Sequence, residues 1–90
     1  MRYNLFYKSF TKLEGEKSWR VCNKLHKVEA IKESFFMLHT NQRLEVVKRI
    51  GRYHDVEMVY KYTEHSTTNT IYYTSSNGVQ YKEVYMLVAM

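Results

Sequence analysis

The chain has no proline, one cysteine and three glycines in 90 residues. The lone Cys22 excludes an internal disulfide framework and fits a reducing compartment. Its expected role is a small apolar filler in a strand. The glycines, at 15, 51 and 78, stand too far apart to build a phosphate-cradling loop. No stretch approaches the ~18 consecutive apolar residues that a membrane-spanning helix needs, so no membrane partner is expected. The first eight residues show neither a long apolar core nor a small-residue cleavage site, so no signal peptide is expected. Histidines stand at 26, 39, 54 and 65. No two of them share a zinc-helix spacing, and there is no Cys-x-x-Cys, so no metal or cofactor is expected.

What is present bounds the class. Ninety residues make one domain, 1–90, with room for about one layer of helix on one sheet. The apolar fraction of 44% is that of a folded chain, which argues against disorder. The net charge of +5 is unevenly spread. Residues 1–53 hold twelve of the fourteen Lys and Arg against five acids, while residues 54–90 hold two against four. A basic half of this kind can mark a polyanion-binding surface, or simply a solvated one.

The strongest local signal is Asn77-Gly78, set between 70–75 and 79–88, two runs that alternate like strands. Asn-Gly suits a two-residue type I′ hairpin, whose central positions both need positive φ. That turn sets Thr74 opposite Tyr81, Tyr72 opposite Glu83 and Ile71 opposite Val84. One face then carries Ile71, Val84, Met86 and Val88. The other carries Tyr72, Tyr81 and Tyr85.

Arg2 to Phe10 alternates as a first strand, and 17–22 returns as a second across a turn at Gly15. A two-residue turn there pairs Phe10 with Trp19 and Lys8 with Val21. Val28, Ile31, Phe35 and Leu38 fall on one helical stripe, predicting a helix over about 26–40 that faces the sheet through those side chains. Residues 43–50 and 56–63 are expected as strands, with turns at Gly51 and His54-Asp55 and a polar loop over 64–69. The sum is an α+β domain, β-β-α-β-β-β-β: an antiparallel sheet of about five to six strands with one helix packed on one face.

No catalytic constellation stands out. His65-Ser66-Thr67 matches the His-x-Thr element that two-histidine phosphoesterases carry twice, but His39-Thr40-Asn41 supplies no second copy and the chain is too short for that fold. The expectation is a protein that is not an enzyme. Binding features are more suggestive. Arg43, Lys48, Arg49 and Arg52 cluster, with Tyr53 beside them. Lys8, Lys12, Lys17, Arg20, Lys24 and Lys27 cluster around the first hairpin, interleaved with Tyr3, Tyr7 and Trp19. Lysine for phosphates and aromatic faces for bases are the ingredients of single-strand binding on a sheet. Plain β-propensity explains the tyrosines equally well. The candidate partner or nucleic-acid residues are Arg43, Lys48, Arg49, Arg52, Tyr53, Tyr72, Tyr81 and Tyr85.

In size, single-domain α+β character, absence of proline and absence of a catalytic motif, the chain resembles the small accessory proteins of bacteriophages. These include host-takeover factors, anti-CRISPR proteins and inhibitors of toxin-based defence. The resemblance implies a stoichiometric inhibitor that binds a host protein in the host cytoplasm. The alternative is a small basic module that binds RNA or single-stranded nucleic acid through residues 1–53. Self-association through the C-terminal strand or the tyrosine face is a further expectation.

Overall fold

The computed structural model describes residues 3–31 and 33–89, and for 23–31 the backbone alone. Arg2, which opens the expected first strand, lies outside them, as do the side chains of Lys24, Lys27, Val28 and Ile31. The elements are β1 (Tyr3–Lys12), β2 (Arg20–Ile31), α1 (Glu33–Ile50), β3 (Tyr53–Tyr62), β4 (Ser66–Ser75) and β5 (Gln80–Ala89). The five strands form one sheet in the order β2-β1-β5-β4-β3, and every pairing is antiparallel. Two hairpin-connected units meet where β1 pairs with β5. β2 and β3 are the two edges, and α1 joins them. A helix of 18 residues spans about 27 Å and five strands about 19 Å, so the helix is long enough to cross the whole sheet.

The α+β class and the single helix on an antiparallel sheet stand as expected. The helix itself is displaced. Residues through Ile31 belong to β2, and 43–50, expected as a strand, is the second half of α1. The buried stripe is Phe36, Thr40 and Val47, with Met37 and Leu44 packed beside it. Thr40 and Arg43 interrupt the apolar pattern on that stripe, which is why its 3.6-residue period is hard to see. Phe35 and Leu38, expected to face the sheet, are 54% and 56% exposed. Gly51, at φ 74°, ends the helix in the left-handed conformation that only glycine adopts cheaply.

The hairpin between β4 and β5 forms, but with three loop residues rather than two. Gly78 N donates to Ser75 O at 3.0 Å and Ser75 N to Val79 O at 2.8 Å. Asn77 keeps negative φ, and Gly78 alone takes the left-handed position at 90°. This is a tight turn followed by a glycine bulge. The Asn77 side chain holds it, bonded to the Ser75 hydroxyl and accepting from Val79 N at 3.3 Å. One extra loop residue moves the register by one, so Ile71 faces Glu83 and Tyr73 faces Tyr81. A one-residue shift turns every side chain of one strand to the other face. The expected grouping is therefore corrected. Ile71, Tyr73, Tyr81, Tyr85 and Leu87 lie under the helix. Tyr72, Val84 and Met86 lie on the opposite face.

Two smaller differences follow from local chemistry. The first hairpin has a longer loop, with a turn at Leu13–Glu16 and Gly15 at φ 86°, and it sets Phe10 opposite Val21. At Phe10 the shift is by two, and bulges between Phe10 and Ser9, Ser9 and Tyr7, and Leu5 and Tyr3 move the register further along the pair. The expected loop over 64–69 is only the Glu64-His65 turn. Ser66 to Asn69 are already in β4, where threonines at 67, 68 and 70 favour extended backbone. Asp55, at φ 53°, is a bulge inside β3 rather than a turn before it. The bulge lets both Tyr53 and Val56 point toward the core.

Candidate functional site

The helix covers one face of the sheet. The other face carries an aliphatic and aromatic surface set with lysines. Cross-strand pairs build its floor: Phe6 with Met86, Lys8 with Val84 and Phe10 with Lys82. These six residues line a basin of about 260 Å³. The strand alternation that sends Leu5, Tyr85 and Leu87 into the core sends these side chains outward. Trp19, from the loop before β2, folds across the end of this face to meet Tyr72 on β4, with ring centroids 6.4 Å apart.

Lysine ammoniums sit on the rings. The Lys82 Nζ is 4.7 Å from the centroids of both Phe10 and Trp19. Lys12 Nζ lies 5.1 Å from Trp19, and Lys8 Nζ 5.5 Å from Phe10. The ring quadrupole attracts each cation. Among the described residues none of the three has a carboxylate partner. Burial, and then the neighbouring Lys12 charge, lower the Lys82 pKa from the ordinary lysine value. An anion brought to this face would relieve that repulsion.

The expected site residues divide differently. Arg43 points under the helix and holds Glu83 with two hydrogen bonds, Nε to Oε1 and Nη2 to Oε2, each 2.8 Å. Tyr73 donates to Glu83 Oε2 at 2.6 Å and Tyr85 to Oε1 at 2.8 Å. Glu83 is 2% exposed. Desolvation pushes its pKa up, but the hydrogen bonds from Arg43, Tyr73 and Tyr85 outweigh that and hold it below the ordinary carboxylate value. Burial and the same carboxylate push both tyrosines well above theirs. The four groups satisfy one another and clamp α1 onto β4 and β5. Asn69 extends the clamp, donating to Thr40 Oγ1 at 2.6 Å, and Thr40 donates to the Phe36 carbonyl at 3.1 Å.

Tyr53, Tyr73 and Tyr81 form an aromatic cluster on the helix side, with centroids 4.7 to 5.9 Å apart. Tyr72 is on the opposite face, so Tyr72, Tyr81 and Tyr85 share no surface. Lys48 and Arg49 are exposed in the last turn of the helix, where their charge suits the helix dipole, and Arg52 is exposed just beyond it. The basic half of the sequence is thus split between the two sides of the molecule. Of the first-hairpin cluster, Lys8, Lys12 and Trp19 meet on the uncovered face. Tyr3 and Tyr7 pack toward the core. Lys82, on the same face, lies in the less basic half. Its signal in the sequence is its phase, in step with Val84 and Met86.

A second apolar surface lies on the helix side. Leu5, Tyr7, Phe35, His39 and Tyr85 line a recess of about 440 Å³. Phe35 stacks on His39, and His39 meets Tyr85 edge-on. Among the described residues no three His, Cys, Asp or Glu side chains come together as a metal site. No described helix is long and apolar enough to cross a membrane. β5 pairs with β1 on one side and β4 on the other, so the C-terminal strand has no free edge for self-association. No protein-family model, no curated protein and no solved structure matches the chain.

Proposed function

We propose that the chain is a non-enzymatic binding protein that takes single-stranded nucleic acid on the uncovered face of its sheet. The observation that carries this reading is the placement of Lys8, Lys12 and Lys82 on the rings of Phe10 and Trp19 around an apolar basin. Ammoniums at that spacing meet phosphates, and the rings beneath them offer stacking faces to bases. The test is fluorescence anisotropy with labelled single-stranded RNA and DNA over a range of salt. The triple variant Lys8→Gln/Lys12→Gln/Lys82→Gln should bind weakly. Its log K against log salt slope should flatten by about 2, near 0.7 for each phosphate left without its lysine. Lys48→Gln/Arg49→Gln, on the other side of the molecule, should behave as the parent. The opposite pattern, or no binding by the parent at ~50 mM salt, where screening is weak, ends this reading.

A second reading, a stoichiometric inhibitor of a host protein such as a bacteriophage counter-defence factor, is favoured by one feature. Phe35 stands exposed at the rim of the apolar recess, and Leu38, one turn further along the helix, is exposed as well. It predicts a host protein captured after nuclease treatment and lost with Phe35→Ser/Leu38→Ser.

A further inference from the structure

Strand β3 ends the sheet. Among the described residues it pairs with β4 alone, and its other edge carries no strand. Natural edges are blunted by proline, by bulges, by charged side chains, lysine above all, or by a covering helix or loop, and of these β3 carries Glu57 and Lys61 in its regular half. β3 has no proline, and its bulge at Asp55 lies near its start. From Glu57 to Tyr62 the ladder to β4 is regular. Val59, Tyr60 and Tyr62 are 46%, 48% and 67% exposed along it. Tyr60 and Tyr62 are on the helix side, so the helix does not overhang this half of the strand.

The side chains of this edge are complementary to themselves. Glu57, Val59 and Lys61 share the uncovered face, and Val56, Met58, Tyr60 and Tyr62 share the other. An antiparallel pairing of two copies about Val59 sets Glu57 opposite the partner's Lys61 and Lys61 opposite the partner's Glu57. On the other face it sets Met58 opposite the partner's Tyr60 and Val56 opposite the partner's Tyr62. Centring on Glu57 or on Lys61 would instead bring two like charges together. Directly opposed charges and aliphatic–aromatic pairs are what stabilise neighbouring strands. We propose that the chain forms a two-fold dimer through β3, joining two five-stranded sheets into one, with Val59 at the axis. The charge register and the exposed apolar residues select a second copy of this chain as the occupant. The proposal stands independently of nucleic-acid binding.

Sedimentation velocity on nucleic-acid-free protein over a wide concentration range tests it. The parent should show a reversible monomer–dimer equilibrium. Glu57→Lys and Lys61→Glu should each raise the dimer dissociation constant by about tenfold or more, because each turns two symmetric attractions into repulsions. Mixing the two variants should restore dimers, since each strand then meets its opposite charges. The double variant Glu57→Lys/Lys61→Glu should dimerise by itself within about threefold of the parent. A parent that stays monomeric, variants that dimerise unchanged, a mixture that fails to restore the dimer, or assembly beyond two copies would each overturn the proposal.

Discussion

Replacing Glu83 by Gln removes one charge and almost no volume, so its effect isolates the buried polar clamp from packing. In the parent, Oε1 accepts from Arg43 Nε and Tyr85, and Oε2 accepts from Arg43 Nη2 and Tyr73. Each oxygen therefore faces two donors. A glutamine puts an NH₂ group in place of one oxygen, whichever way the amide turns. One Arg43 N–H then meets a donor, the tyrosine hydroxyl beside it has to turn and accept, and Arg43 loses its counter-charge. Hydrogen bonds to charged groups are worth about 1.5–3 kcal/mol each, and breaking a buried ion pair on one side costs about 3–5 kcal/mol. Arg43 is 36% exposed on its side chain and recovers some hydration, so the lower end applies, about 3 kcal/mol. In a domain this small that should lower the melting temperature by more than about 10 °C. The assay is thermal unfolding followed by circular dichroism, with urea unfolding as a second measure. A control variant, Arg43→Met/Glu83→Leu/Tyr73→Phe/Tyr85→Phe, removes all the polar partners together and should melt near the parent, since no buried group is left unpaired. Glu83→Gln melting within a few degrees of the parent would refute the clamp.

Two further outcomes follow from the same geometry. Phe36, with no exposed surface, should cost about 3–5 kcal/mol as Phe36→Ala, whereas Phe35→Ala and Leu38→Ala should stay within about 1 kcal/mol of the parent by chemical denaturation. Stability should form a plateau in pH. The Glu83 pKa is lowered in the fold, so its contribution is complete above the ordinary value of 4.5 and is lost as pH falls through the lowered one. The pKa values of Tyr73 and Tyr85 are raised, so theirs is complete below the ordinary 10.0 and is lost as pH climbs beyond it. Melting curves across the pH range check both limbs, and Glu83→Gln should flatten the acid one.

Much of the architecture was legible because strands announce themselves by alternation. The runs 2–10, 56–63 and 79–88 read as half-buried strands, and Tyr3 to Phe10, Val56 to Tyr62 and Gln80 to Val88 of them are strands. Asn77-Gly78 marked a hairpin. Its loop length was hidden, because the same dipeptide serves a two-residue turn and a three-residue turn with a glycine bulge. The choice rests on the Asn77 side chain bonding Ser75 and Val79. The helix was misplaced for a related reason. Its buried stripe includes Thr40 and Arg43, which are polar, while the exposed Phe35 and Leu38 mimic a core stripe. Across the core, Thr40 meets Asn69 and Arg43 meets Glu83. Such pairs join residues 29 and 40 positions apart, beyond the reach of a local pattern.

The sequence by itself determined the α+β class and the strands that alternate most clearly, because these depend on residue types and local periods. Only the tertiary structure decided which face is core. A one-residue change in loop length leaves each strand's alternation intact yet exchanges its two faces. That exchange placed the tyrosines of β5 under the helix and Lys82 with Lys8, Lys12, Phe10 and Trp19 on the uncovered face, where all five are half-buried. The tertiary structure also put β5 in the middle of the sheet and β3 at its edge, since strand order follows from the long-range pairing of β1 with β5. The side chains that meet on the uncovered face come from both ends of the chain, and only the closed sheet brings them together.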